Sequence, residues 1–134
     1  MATRAFVLGL LTSIALALVA TAHADTVQVT RTRNRLCFAV TANAAGRAPG
    51  TTKNIHDFHV QIQGGQIISH SSPTNWNGQH SAVEASWETK TNPIRFPGGT
   101  RAGFCIRIQG GDHLTWWTTA KDGSKIAQGI INLP

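Results

Sequence analysis

An eight-residue pattern occurs twice in this chain, as FHVQIQGG at residues 58–65 and as FCIRIQGG at residues 104–111. In both copies large apolar residues alternate with polar or smaller ones, which is the period of a β-strand with one buried face. The Gly-Gly pair that ends each copy can adopt the positive φ angles of a two-residue hairpin turn. The pattern therefore predicts that each copy is the first strand of a β-hairpin.

Alternation with period two continues through the rest of the chain, interrupted by Gly, Pro, Asn and Ser. It predicts eight strands, near residues 26–31, 35–41, 57–63, 66–70, 83–89, 102–109, 112–119 and 125–133. Seven or eight short strands in about 110 residues are typical of an all-β fold, a small antiparallel β-sandwich. In strand number and spacing the chain resembles immunoglobulin-like and fibronectin type III-like domains. This resemblance implies a fold and assigns no functional residue.

The first residues have the layout of a secretory signal peptide. Arg4 precedes an uncharged, mostly apolar stretch at residues 5–20, and Ala22-His23-Ala24 fits a small-x-small cleavage site. A membrane anchor is the alternative, but a spanning helix needs about 20 apolar residues. We therefore expect residues 1–24 to be removed and residues 25–134 to form one secreted or periplasmic domain without a transmembrane segment.

The chain has two cysteines, Cys37 and Cys105. An even number of cysteines in an exported chain predicts a disulfide, and two buried free thiols are the alternative. Each cysteine alternates with the strongly apolar residues of its own strand. Both therefore point away from the main core, and we expect a bridge between neighbouring strands of one sheet.

Four arginines fall on the same predicted faces as the two cysteines: Arg31, Arg33, Arg35 and Arg107. The chain is basic, with 12 Lys and Arg against 6 Asp and Glu. A basic surface favours anionic partners, such as an acidic surface polymer or phospholipid headgroups. The alternative is a row of solvated charges that protects a sheet edge from aggregation. No block of consecutive like charges specifically indicates nucleic acid.

A hairpin turn at Gly64-Gly65 would place His59 directly opposite His70. Asp57 would share their face, and His56 would lie beside them at the strand entry. Two imidazoles and a carboxylate are suitable ligands for Zn²⁺ or Cu²⁺. The alternative is that these are half-exposed polar side chains and that the protein has no cofactor.

The candidate contacts for a glycan are Trp76 and whichever of Trp116 and Trp117 faces outward, because a flat indole ring can stack on a sugar. Trp76 lies in a predicted loop at residues 71–82, and the second predicted hairpin places Trp116 opposite Cys105. Trp116 and Trp117 are adjacent, so they must point to opposite faces of their strand. Burial of Trp76 as a plug at one end of the sandwich is the alternative.

Catalytic motifs are lacking in the sequence. Glu84 and Glu88 share a predicted strand face but would lie about 13 Å apart, too far for the paired carboxylates of a glycosidase. The serines have no nucleophile-elbow context. The sequence therefore predicts a non-catalytic module that binds an anionic polymer, a glycan or an envelope protein. A His-based metal-binding periplasmic protein is the second hypothesis, and a small hydrolase is the third.

Overall fold

The computed structural model describes residues 27–42, 53–96 and 102–133, so the predicted signal peptide lies outside the described residues. Within these ranges the chain forms seven antiparallel strands and no helix long and apolar enough to cross a membrane. The strands are β1 (Val27–Thr32), β2 (Arg35–Val40), β3 (Asp57–Ser71), β4 (Asn77–His80), β5 (Glu84–Glu88), β6 (Ala102–Thr119) and β7 (Lys125–Asn132). The predicted all-β class is confirmed.

The two copies of the repeat lie in the long strands β3 and β6, which pair with each other. Gly65 is opposite Gly110, and Ile67 is opposite Ile108. Both strands continue through their Gly-Gly pairs, so the two predicted hairpins are wrong. The positive φ of Gly64, 79°, and of Gly110, 70°, serves a bend with a register shift instead of a turn.

This bend folds one sheet into two layers. The strand order of the sheet is β1-β2-β6-β3-β5-β4, with β7 also paired to β6. The first layer, which we call the disulfide layer, holds β1, β2, the first half of β6 and the second half of β3. The second, which we call the five-stranded layer, holds β7, the second half of β6, the first half of β3, β5 and β4.

An aromatic cluster fills the space between the two layers. Phe58 of the five-stranded layer lies 5.5 Å from Phe38 and 5.1 Å from Phe104 of the disulfide layer, measured between ring centroids. Trp87, on β5, stacks on Phe58 at 5.7 Å. All four side chains are fully buried, and burial of a residue such as Phe contributes about 1.5–3 kcal/mol.

The predicted disulfide is confirmed. Cys37 of β2 and Cys105 of β6 are directly opposed and bonded. As the alternation indicated, the bridge joins neighbouring strands within one layer.

Candidate anion-binding face

Strand alternation gives the disulfide layer a polar outer face. Leu36 and Ile106 are buried in the core, so their neighbours along the strands, Arg35 and Arg107, point outward. The same alternation sends both cysteines to this side. The arginines therefore lie next to the disulfide, on the face that the sequence predicted.

The cross-strand register brings these residues together in rows. Arg35 is directly opposite Arg107, which in turn is opposite Ser69 of β3. The next row contains the disulfide and Ser71. A cavity of about 300 Å³ opens on this face, lined by Arg35, Ser69, His70, Ser71, Cys105, Ile106 and Arg107.

Neither the Arg35 nor the Arg107 guanidinium has a carboxylate partner among the described residues. The salt bridge found in that part of the chain joins Lys53 to Asp122. Arg35 donates a weak hydrogen bond to the Cys105 Sγ at 3.6 Å, and Arg107 donates to the Asn34 Oδ1 at 3.5 Å. Like charges directly opposite each other destabilise a pair of strands. An anion bound between the two guanidinium groups would remove that repulsion.

The turn between β1 and β2 stands at the end of this face. The Ile108 amide donates to the Asn34 carbonyl at 2.8 Å, which fixes the turn against β6. Arg33 lies in the turn with φ 57°, exposed, and its carbonyl accepts a bond from the Arg31 Nε. Arg31 pairs with the core residue Leu36, so the prediction that it shares the face of Cys37 is wrong.

Trp76 and Trp116 are buried, so neither offers a ring to a glycan. Trp76, 6% exposed, packs edge-on against Phe104 with centroids 5.0 Å apart, as the plug alternative requires. Trp116, 5% exposed, lies in the five-stranded layer opposite Gly129, so the prediction that it lies opposite Cys105 is wrong.

Trp117 is the tryptophan that reaches the surface of the five-stranded layer. Its ring stacks on His59 with centroids 4.9 Å apart and an interplanar angle of 3°, and the Lys125 Nζ lies 5.9 Å from the ring centre. The ring therefore has an imidazole and an ammonium group as neighbours. Burial, opposed by the nearby Glu84, lowers the pKa of His59 and favours a neutral imidazole.

The predicted metal ligands do not come together. His59 lies in the five-stranded layer opposite Trp117 and Ser86, whereas His70 lies in the second half of β3, opposite Ile106. The His56 Nδ1 is 3.1 Å from the Thr89 carbonyl. No cluster of three or more His, Cys, Asp or Glu suitable for a metal occurs in the described part of the chain.

Asp57 instead lies directly opposite Glu88, a pair that spacing along the sequence could not show. Burial, followed by repulsion from Glu88, raises the pKa of Asp57, while His56 and a hydrogen bond with Thr119 lower it. A raised pKa means that the folded protein binds this proton more tightly than the unfolded chain does. Asp57 therefore reduces stability as the pH rises above its ordinary pKa of 3.8.

We accordingly expect Asp57→Asn to raise the free energy of unfolding at pH 7, by less than about 1 kcal/mol because the site is largely solvated. The gain should disappear below pH 3.8, where both states bind the proton. Urea denaturation at several pH values measures it. Asp122→Asn is the contrast, because hydrogen bonds from Lys53 and Ser124 lower the pKa of Asp122 and the sign should reverse. A pH-independent gain for Asp57→Asn would contradict the electrostatic explanation.

Comparison with known proteins shows a likeness in fold to solved structures. No protein-family model matches it, and neither does any curated protein. It is similar to an uncharacterized protein from Nocardia farcinica with an immunoglobulin-like fold, with a TM-score of 0.53 and 12% identity over 81% of this chain and 96% of that one. ChBD2 from Thermococcus kodakarensis KOD1 aligns with a TM-score of 0.40 and 13% identity over 78% and 93% of the two chains. The likeness to the Nocardia farcinica protein shows that the chain has an immunoglobulin-like fold.

Proposed function

We propose that this protein is an exported, non-catalytic binding module that holds an anionic polymer on the outer face of its disulfide layer, at the cell envelope or outside the cell. The observation that carries the proposal is the directly opposed pair of Arg35 and Arg107, which has no carboxylate partner among the described residues.

The chemistry of this face suits phosphate, sulfate or carboxylate groups. A guanidinium binds such groups through two parallel N–H donors, which adds geometric specificity to charge attraction. Ser69 and Ser71 line the same cavity and add hydroxyl donors. The net charge, +6 for the full sequence and +5 once residues 1–24 with Arg4 are removed, would also attract a polyanion from a distance at low salt.

Export is supported by the N-terminal sequence and by the disulfide, since disulfides persist in oxidising compartments.

We expect the double variant Arg35→Gln, Arg107→Gln to bind dextran sulfate about 100-fold more weakly than the parent. Hydrogen bonds to charged groups contribute about 1.5–3 kcal/mol each, and about 1.4 kcal/mol is a factor of ten in affinity. Calorimetry at low ionic strength would measure the loss. Polygalacturonate in a parallel titration would distinguish preference for sulfate from preference for carboxylate.

The matched control is Arg95→Gln, Lys121→Gln, which removes the same charge from two exposed side chains outside this cavity. Its affinity for dextran sulfate should fall only slightly, because the variant lowers the net charge without changing the cavity. Salt screens this long-range effect. Equal losses in the two double variants would show that the polymer follows overall charge, and the proposed face would then be rejected.

A further inference from the structure

A pair of histidines bridges the two layers at the open edge of the sandwich. The Nδ1 atoms of His70, on β3, and His80, on β4, are 2.7 Å apart, with ring planes inclined at 69°. These strands belong to different layers. The pair therefore arises only when the sheet folds over at its glycine bend.

The spacing of the two nitrogens matches that of neighbouring metal ligands. Two ligands about 2.0 Å from one ion lie about 2.8 Å apart at a right angle, and about 3.3 Å apart in a tetrahedron. Square-planar or tetragonal nitrogen sites are typical of Cu²⁺ and Ni²⁺. We propose that His70 and His80 form a two-histidine copper(II) site, completed by water or by an oxygen ligand from solution.

Both histidines are at least partly exposed to solution, and one hydrogen must move before a metal can bind both rings. His70 is half-buried and lies opposite Ile106 on the inner side of its strand, and His80 is exposed and lines a cavity of about 430 Å³. Without metal, one Nδ1 must donate its hydrogen to the other. Binding of Cu²⁺ at both Nδ1 atoms requires that hydrogen to leave the donor nitrogen, and the Nε2 of the same ring can carry it instead.

The site also has an internal reporter. The Trp87 ring centroid lies 6.4 Å from that of His70, so a bound paramagnetic ion would quench the fluorescence of this buried indole. Calorimetry of the chain without a polyhistidine tag, at pH 7 with CuCl₂, should give one micromolar site per chain. The tryptophan fluorescence should fall until one copper ion per chain has been added and then remain constant.

His80→Ala is the decisive variant, because His80 is exposed and its removal should leave the core intact. We expect at least about tenfold weaker copper binding, since the remaining imidazole binds without its neighbour. His113→Ala and His59→Ala are controls at histidines outside the pair and should retain the affinity. The proposal is overturned if copper does not bind, if His80→Ala binds as tightly as the parent, or if a control variant loses the site. Since the titration uses no polyanion, its failure leaves the anion-binding proposal standing.

Discussion

Gly65→Ala should lower the free energy of unfolding by at least about 3 kcal/mol, in the range where strain within a packed structure dominates. A β-carbon at Gly65 would lie 2.5 Å from the Gly111 nitrogen, and 2.6 Å from both the Gln109 oxygen and the Gly110 carbonyl carbon. All three are backbone atoms, so no side-chain rotation can relieve the contact. The two long strands would have to move apart at the bend that folds the sheet.

Gly103→Ala is the matched control, because a β-carbon there meets nothing within 4 Å. It should change stability by less than about 0.5 kcal/mol. Urea denaturation of both variants gives the comparison. The pair also tests the topology, because in a hairpin with Gly64 and Gly65 as its turn, alanine would meet only a backbone φ penalty of about 1 kcal/mol. Nearly equal, small losses would therefore contradict the continuous strands.

The sequence predicted the strands because each has one buried face, and a buried face imposes alternation wherever the strand lies. It could not distinguish a turn from a bend at the Gly-Gly pairs, since both require the same backbone freedom. Pairing between residues about 45 positions apart makes that choice, as in the contact of Gly65 with Gly110. Every neighbour inferred from a hairpin register, including His59 with His70, depended on the wrong alternative.

In the candidate site, too, the sequence predicted what depends on alternation along one strand and missed what depends on contacts between distant strands. Arg35 and Arg107 were identified because each lies two residues from a cysteine, and alternation along a strand is a local property. Whether Trp116 or Trp117 would be buried depended on which face the other layer covers. Trp116 packs against Gly129, whose added β-carbon would lie 2.7 Å from the indole. His80 was missed because β4 meets the end of β3 only after the sheet folds over.

Replacement of both cysteines, Cys37→Ala with Cys105→Ala, should lower the free energy of unfolding by about 4 kcal/mol. The bond joins residues 68 positions apart, and without it the unfolded chain regains the corresponding loop entropy. Urea denaturation of the oxidised parent and the variant would measure the loss. The parent unfolded under reducing conditions provides a second measurement, which should approach the variant value. A loss below about 1 kcal/mol in both would show that the bridge does not restrict the unfolded chain.

The same replacement should also weaken anion binding, which links the disulfide to the proposed function. The bridge lies one row from Arg35 and Arg107 and joins the two strands that hold these like charges face to face. Without it, repulsion between the guanidinium groups can separate β2 from β6 locally. We expect weaker binding of dextran sulfate by the double alanine variant even where circular dichroism shows it to be folded. Unchanged affinity in the folded variant would show that backbone pairing alone holds the two arginines in place.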